Sequence, residues 1–248
     1  MANLNKIVKY CREYLKVDDF KDYCVNGMQV EGCEDVKKIV TGVSFSEKLI
    51  REAIENKADM IIVHHGIFME PIGSPPSITG YTRNRLKLLL ENNISLLGFH
   101  LPLDAHPEIG NNISLCNLFG VKNAEAFDVG FHGELETEID FEKFSNIVSD
   151  KLNSDLITMS EGPKMVKKIG IISGGASPSF EHAAKLGLDT FICGDIREGV
   201  VRGIEELGIN FINAGHYNTE KLGVQNLGKL IAKKFKVNVE FVDIPCDV

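Results

Sequence analysis

Three short stretches of the chain set imidazoles and carboxylates at the ends of apolar runs. ADMIIVHHGIF (58–68) carries His64 and His65 in succession, GFHLPLD (98–104) carries His100 and Asp104, and AGHYNTE (214–220) carries His216 and Glu220. Four of the seven histidines therefore sit at such ends. Imidazole with carboxylate is the donor set for zinc, iron, manganese and related divalent ions. Neighbouring residues in a strand point to opposite faces, so His64 and His65 suit two adjacent ions better than one. A carboxylate such as Glu220 has two oxygens with which to bridge them. Sites of this kind hold ions roughly 3.5–4 Å apart and can bring the pKa of a bound water to near 7. The plainer alternatives are ordinary strand-end histidines, and acidic residues placed to favour a helix N-terminus. The recurrence of H-x-x-x-D and H-x-x-x-E weighs toward the metal.

The elements that must position these residues alternate along the chain. MANLNKIVKYCREYL reads as an amphipathic helix. KKIVTGV (37–43) reads as a strand, SEKLIREAIENKA (46–58) as a helix, MIIVH (60–64) as a strand, TRNRLKLLLENN (82–93) as a helix and ISLLGF (94–99) as a strand. Alternating strands and helices predict β-α-β units around a parallel sheet. Strands of such a sheet are covered on both faces and carry unbroken apolar runs. Ligands bind beyond their carboxyl ends, where the histidines stand.

The pattern repeats. Residues 36–66 align without a gap against residues 166–196, matching Val36 with Val166, Ile39 with Ile169, Ala53 with Ala183, Asp59 with Asp189 and Ile62 with Ile192. NNISLLGFHLPLD (92–104) likewise pairs with GINFINAGHYNTE (208–220). An internal repeat of this length predicts duplication. The chain divides on this reading into residues 1–125, with the HH and H-x-x-x-D motifs, and 126–248, with GHYxxE. The segment 126–153 between the repeats predicts strands around Gly130 and Gly133 and then a helix. It has no linker composition, so the halves are expected to pack together.

Composition narrows the function classes. Of 248 residues 25% are charged, with a formal net charge of −8, which argues against a duplex-binding protein. No apolar run approaches the roughly 20 residues of a membrane span. The six cysteines lack C-x-x-C spacing and predict mostly buried, reduced thiols in a cytoplasmic protein. GGAS (174–177) lacks the lysine of a phosphate loop and predicts an ordinary turn. Asp195 and Glu198 lie near a strand end, where a surface ion pair or helix start is expected ahead of a substrate contact. His106, His132 and His182 are expected to be structural or exposed.

The sequence resembles the NIF-three-like family, also known as GTP cyclohydrolase 1 type 2 homologues. The likeness is carried by DYCVNGMQVEG (22–32), KKIVTGVS, DMIIVHHG, HLPLD, GFHGEL and AGHYNTE, nearly end to end. The resemblance implies two intertwined, duplicated three-layer α/β/α domains. It implies a homohexamer, a trimer of dimers around a central cavity, and two divalent metal ions per subunit. By position, His64 and Asp104 would hold one ion, His65 and His216 the other, and Glu220 would bridge them. His100 is the candidate catalytic residue, orienting a neighbour or giving a proton; packing beside Asp104 is its alternative. HHG stands where the family more often has H-H-P, and HLPLD where it has H-T-N-L-D. Three functions follow as expectations: a metal-dependent hydrolase acting on a nucleotide-like or phosphate-containing small molecule, a metal carrier, or an oligomeric ring that engages nucleic acid.

Overall fold

The computed structural model describes residues 1–69 and 77–246. In chain order its strands are β1 (Ala2–Asn3), β2 (Gly27–Val30), β3 (Asp35–Val36), β4 (Lys38–Ser44), β5 (Met60–His65), β6 (Ser95–Gly98), β7 (Lys122–Phe127), β8 (Gly130–Asp140), β9 (Ile157–Ser160), β10 (Met165–Ile171), β11 (Thr190–Cys193), β12 (Asn210–Asn213) and β13 (Asn238–Phe241). Its helices are α1 (Leu4–Tyr14), α2 (Glu47–Glu55), α3 (Gly80–Glu91), α4 (Leu101–Asp104), α5 (Asn111–Phe119), α6 (Phe141–Leu152), α7 (Phe180–Lys185), α8 (Glu198–Leu207) and α9 (His216–Phe235). The chain forms two compact units, one of Met1–Leu103 with Gly223–Ile244, the other of Asp104–Leu222 with Pro245–Val248.

The first unit is built on a five-stranded sheet in the order β13-β4-β5-β6-β2. β4, β5 and β6 run parallel, Ile39 beside Met60 and Met60 beside Ser95, as their unbroken apolar runs require. Helices join them, because parallel neighbours need a crossover. Ser46 opens α2 by accepting the Leu49 N–H at 3.2 Å. Leu49, Ile50 and Ala53 then pack with Val40, Ile61, Val63 and Leu96 from one face of the sheet, and Leu89 of α3 joins them. The segment 223–244 belongs here rather than with the second half of the chain. β13 pairs in parallel with β4, Asn238 beside Lys38, and Gly228 of α9 packs close against Thr41 and Val239.

The second unit has a six-stranded sheet, β7-β8-β10-β11-β12-β9. β10, β11 and β12 are parallel, while β8 and β9 pair antiparallel on either side. Side chains alternate between its two faces. Ile169, Ile171, Ile192 and Ile212 meet α5 and α6 through Leu115, Cys116, Phe144 and Val148. Ile172, Phe191, Cys193 and Phe211 meet α7 and α8 through Phe180, Ala183 and Ile204. The unit is a three-layer α/β/α stack with a core on each side of the sheet. Residues 104–125, placed by the repeat with the first half, fall in this unit. The reason is α5, whose apolar face is covered by this sheet.

The repeat is visible in backbone detail. Asp59 Oδ2 accepts the N–H groups of Lys37 and Lys38 at 2.7 and 2.9 Å, and Asp189 Oδ2 those of Lys167 and Lys168 at 2.8 and 2.7 Å. Gly32 donates its N–H to Ser95 Oγ, as Gly162 does to Asn210 Oδ1. The last repeat segments are one residue out from the equal-length pairing. Ser95 lies beside Met60 while Asn210 lies beside Thr190, so Ser95 corresponds to Asn210 and the second copy has an extra residue before His216.

The described cysteines are free, and Cys11, Cys24, Cys116 and Cys193 are buried; Cys33 is partly covered and Cys246 exposed. Burial pushes the Cys11 and Cys116 thiols up to about 12, which keeps them protonated and unreactive. Among the described residues no helix is long and apolar enough to cross a membrane.

Candidate metal centre

In the first unit β5 delivers the two histidines at its carboxyl end, and β6 leads into His100. His64 is almost fully buried, and its Nδ1 lies 2.9 Å from the carbonyl oxygen of Phe99. A carbonyl can only accept, so Nδ1 carries the proton and Nε2 is the nitrogen with a lone pair. This is the orientation a metal-ligating histidine takes when its other ring nitrogen is tied to the backbone. His65 points its Nδ1 at Ser44 Oγ, 3.1 Å away. His64, His65 and His100 each bring a ring nitrogen within 4.8 Å of the others. Their rings lie 4.6 to 5.7 Å apart, centroid to centroid.

His100 is held from a direction the motif search missed. Its Nδ1 lies 3.0 and 3.1 Å from the two carboxylate oxygens of Asp22. Its backbone N–H donates to Asn26 Oδ1, and the Leu101 N–H donates to Asp22 Oδ2. Burial alone would raise the Asp22 carboxyl. Hydrogen bonds from His100, Asn26 and the Cys24 N–H, with the charge of His100, outweigh it and hold the carboxyl well below the ordinary carboxylate range. Asp22, Cys24 and His100 form a second group of donors within 4.8 Å of one another. Exposed Tyr23 sets its ring edge-on to His100 at 5.1 Å. Asp22 and Asn26 both lie in DYCVNGMQVEG. The signal was the motif itself, whose polar residues looked like turn chemistry until their partners were known.

The same motif explains the HHG turn. Gln29 accepts the Ile67 N–H at Oε1, and its amide lies so close over Gly66 that a Cβ there would collide with it. Proline at that position would meet the same wall, so glycine follows from the placement of Gln29.

The second unit carries Asp104, His216 and Glu220. Asp104 is buried, and its Oδ1 accepts from Asn111 Nδ2 at 2.8 Å and Ser173 Oγ at 2.9 Å. Asn112 Oδ1 in turn accepts the Ser173 N–H. These donors fix the carboxylate without neutralising it. His216 begins α9, and its Nε2 lies 3.1 Å from Oε1 of buried Glu220, one turn along. Glycines at two strand ends make room for this turn. Gly194 occupies the repeat position of His64, and a Cβ on it would come within 2.7 Å of Thr219 Oγ1 and 2.8 Å of His216 Cα. Gly174, at φ +65°, abuts Glu220 and donates its N–H to Thr219 Oγ1. GGAS is thus a turn that seats α9, as its composition predicts, and its Ser177 N–H goes to Asp195 Oδ1.

Asp195 also pairs with Arg197, Oδ2 to Nε at 3.1 Å, and Glu198 is the first residue of α8. Both match the expected surface ion pair and helix start. His182 pairs with Asp128 at the surface, His106 closes a local turn, and His132 lies edge-on to Phe127. The first unit thus gathers His64, His65 and His100, and the second joins His216 to Glu220 and holds Asp104 in its own polar cage. The donor chemistry fits divalent first-row ions in each unit.

With this geometry in hand the likeness to known proteins is informative. The Duf34/NIF3 (NGG1p interacting factor 3) profile matches residues 2–247. A Haemophilus influenzae protein named GTP cyclohydrolase 1 type 2 homolog is 40% identical over 250 residues, covering 98% of each chain. The Escherichia coli K12 protein of the same name is 40% identical over 235 residues, 94% of each. Among solved structures, protein ybgI, described as of unknown function, superposes with a TM-score of 0.94 at 37% identity, and a Thermus thermophilus protein with 0.92 at 32%, each over the full length of both chains. A match spanning nearly every described element, together with relatives of this identity, establishes that the chain belongs to the Duf34/NIF3 family.

Proposed function

We propose that the chain is a dinuclear divalent-metal protein and a metal-dependent hydrolase acting on a nucleotide-like or phosphate-containing small molecule. The observation that carries this reading is the fixed state of the donors. His64 has its proton directed at the Phe99 carbonyl, and Asp104 is caged by neutral donors that leave it anionic. His64 and Asp104 would hold one ion, His65 and His216 the other, with Glu220 bridging. Bound, the pair would supply an activated hydroxide near neutral pH and an electrophilic contact for the acceptor. The protein's part is to present donors in one tautomer and to keep Asp22 and His100 beside them. His100 takes the role of the neighbouring group that handles a proton. The relatives' name supports a purine-nucleotide ring or a phosphoester as first substrates to try.

The test is elemental analysis followed by turnover of GTP and a phosphoester panel by the metal-loaded protein. Full occupancy without turnover would sink the hydrolase reading. A metal carrier is favoured by one observation: His65 and His216 are only partly buried, so ions could exchange through them. Transfer of metal to an apo-acceptor protein decides between the two. The family resemblance also supports a homohexamer, a trimer of dimers, in the cytoplasm; sedimentation of the purified chain tests the assembly. Nucleic acid remains the disfavoured partner at a net charge of −8.

A further inference from the structure

The rim of the second unit's half-site carries a cation that the proposed chemistry has not used. Arg197 sits in the loop after β11, beside the start of α9. Its Nε donates to Asp195 Oδ2 at 3.1 Å, and Asp195 is itself anchored by the Ser177 N–H at 2.9 Å. One Nη2 proton reaches toward the Gly175 carbonyl at the long limit of 3.5 Å. A guanidinium has five N–H donors. The Asp195 pairing uses Nε alone, so the Nη groups face outward, and the side chain is 62% exposed.

What those groups face is set by Gly175. A methyl group placed on Gly175 would lie 3.5 Å from His216 Cε1, 3.7 Å from Arg197 Nη2 and 3.7 Å from Asp195 Oδ2. These are ordinary van der Waals separations, so the niche above Gly175 admits a ligand atom. It is walled on one side by a metal-donor imidazole and on another by a guanidinium fixed in direction. His216 also begins a 20-residue helix, whose positive end favours an anion at the same place. In a protein of net charge −8, an anionic substrate needs such a local cation to approach.

We propose that Arg197 recognises the phosphate group of the substrate, binding it against the His216 edge of the site through its Nη groups. The proposal rests on the metal-dependent reading for its function, and it names the substrate class: a phosphate-bearing molecule. A planar fork against phosphate oxygens is the pairing for which arginine is suited and lysine is a poor replacement.

Inorganic phosphate is the probe, titrated by calorimetry into the zinc-loaded protein, with metal content measured in parallel. Arg197→Gln should weaken phosphate binding about tenfold to a hundredfold, the range for charge-assisted hydrogen bonds, at unchanged metal content. Arg197→Lys should recover only part of the loss. Arg202→Gln, which removes an exposed arginine paired with Glu205 on α8, should leave affinity at the wild-type value. Equal affinity in wild type and Arg197→Gln overturns the proposal, as does an equal loss in Arg202→Gln, which would mean general charge attraction. If the protein takes up no metal, the dinuclear reading falls by itself. The same titration on the metal-free protein then still decides whether Arg197 binds phosphate.

Discussion

The two units repeat one β-α-β scaffold and differ at the strand ends. Asp59 and Asp189 each clamp two consecutive backbone N–H groups of the preceding strand with one oxygen. Ser95 and Asn210 each receive a glycine N–H from the incoming edge segment. These contacts set register, and both copies keep them. At the carboxyl end of the middle strand the copies part: His64 and His65 in the first unit, Gly194 and Asp195 in the second. The reason lies in what each strand end must accommodate. In the second unit the strand end abuts the first turn of α9, and only a glycine leaves room for His216 and Thr219. In the first, the strand end is free to carry an imidazole whose Nδ1 reaches the Phe99 carbonyl. One copy presents donors on its middle strand, the other on the helix that follows the next strand.

The largest effect expected from this division is on metal. His64→Ala and Glu220→Ala remove one donor from each unit, and elemental analysis should show most bound metal lost in either variant. Retention in both would end the idea that the two strand ends were specialised for ions. Next in size is Gly194→Val. Its side chain must enter a space already closed at 2.7–2.8 Å, and overpacking of this kind costs about 1–3 kcal/mol or more. Denaturant unfolding should show that loss. An unchanged midpoint would mean that the divergence of Gly194 from His64 has no steric cause.

Smaller still are the paired clamps. Asp59→Ala and Asp189→Ala each leave two backbone N–H groups to water, at about 1–2 kcal/mol for partly exposed charge-assisted bonds. The comparison predicts equal losses, read as faster exchange of the Lys37 and Lys38 amides in one variant and of Lys167 and Lys168 in the other. A loss in only one copy would show that the clamp has been kept by descent and no longer stabilises the other.

Much of the scaffold was legible in the residues. Unbroken apolar runs such as MIIV and TFIC fixed parallel, doubly covered strands, and the aligned Asp59 and Asp189 marked the repeat. The boundaries of the units were not legible. Sequence similarity reports common origin, whereas residence is decided by which sheet covers an apolar face. The 223–244 segment crosses back because β13 finds an open parallel edge at β4. The donor residues could be named because imidazoles at strand ends have few plainer uses. Their supports could not: Asp22, Asn111 and Ser173 are ordinary polar residues, and nothing in their spacing shows a partner.

The smallest effect separates how the two units hold their strand-end histidines. His216 is met by Glu220 from its own helix, one turn away, whereas His100 is met by Asp22 from a segment 78 residues distant in the chain. The first arrangement comes with helix formation; the second must be assembled by tertiary folding. Asp22 has a folded-state pKa below its ordinary 3.8. A depressed carboxyl stabilises the fold fully above the unfolded value and loses that contribution as pH falls toward the folded one. Asp22→Asn should therefore cost about 1–2 kcal/mol from neutral pH down to about pH 4. The gap to wild type should then close on further acidification, because wild type forfeits what the variant never had. Unfolding midpoints measured on metal-free protein between about pH 3 and 7 check this. A gap that stays constant through the acid limb, or widens there, would show that Asp22 supports His100 by shape and neutral hydrogen bonding alone, so that the first unit holds its histidine without the help of charge.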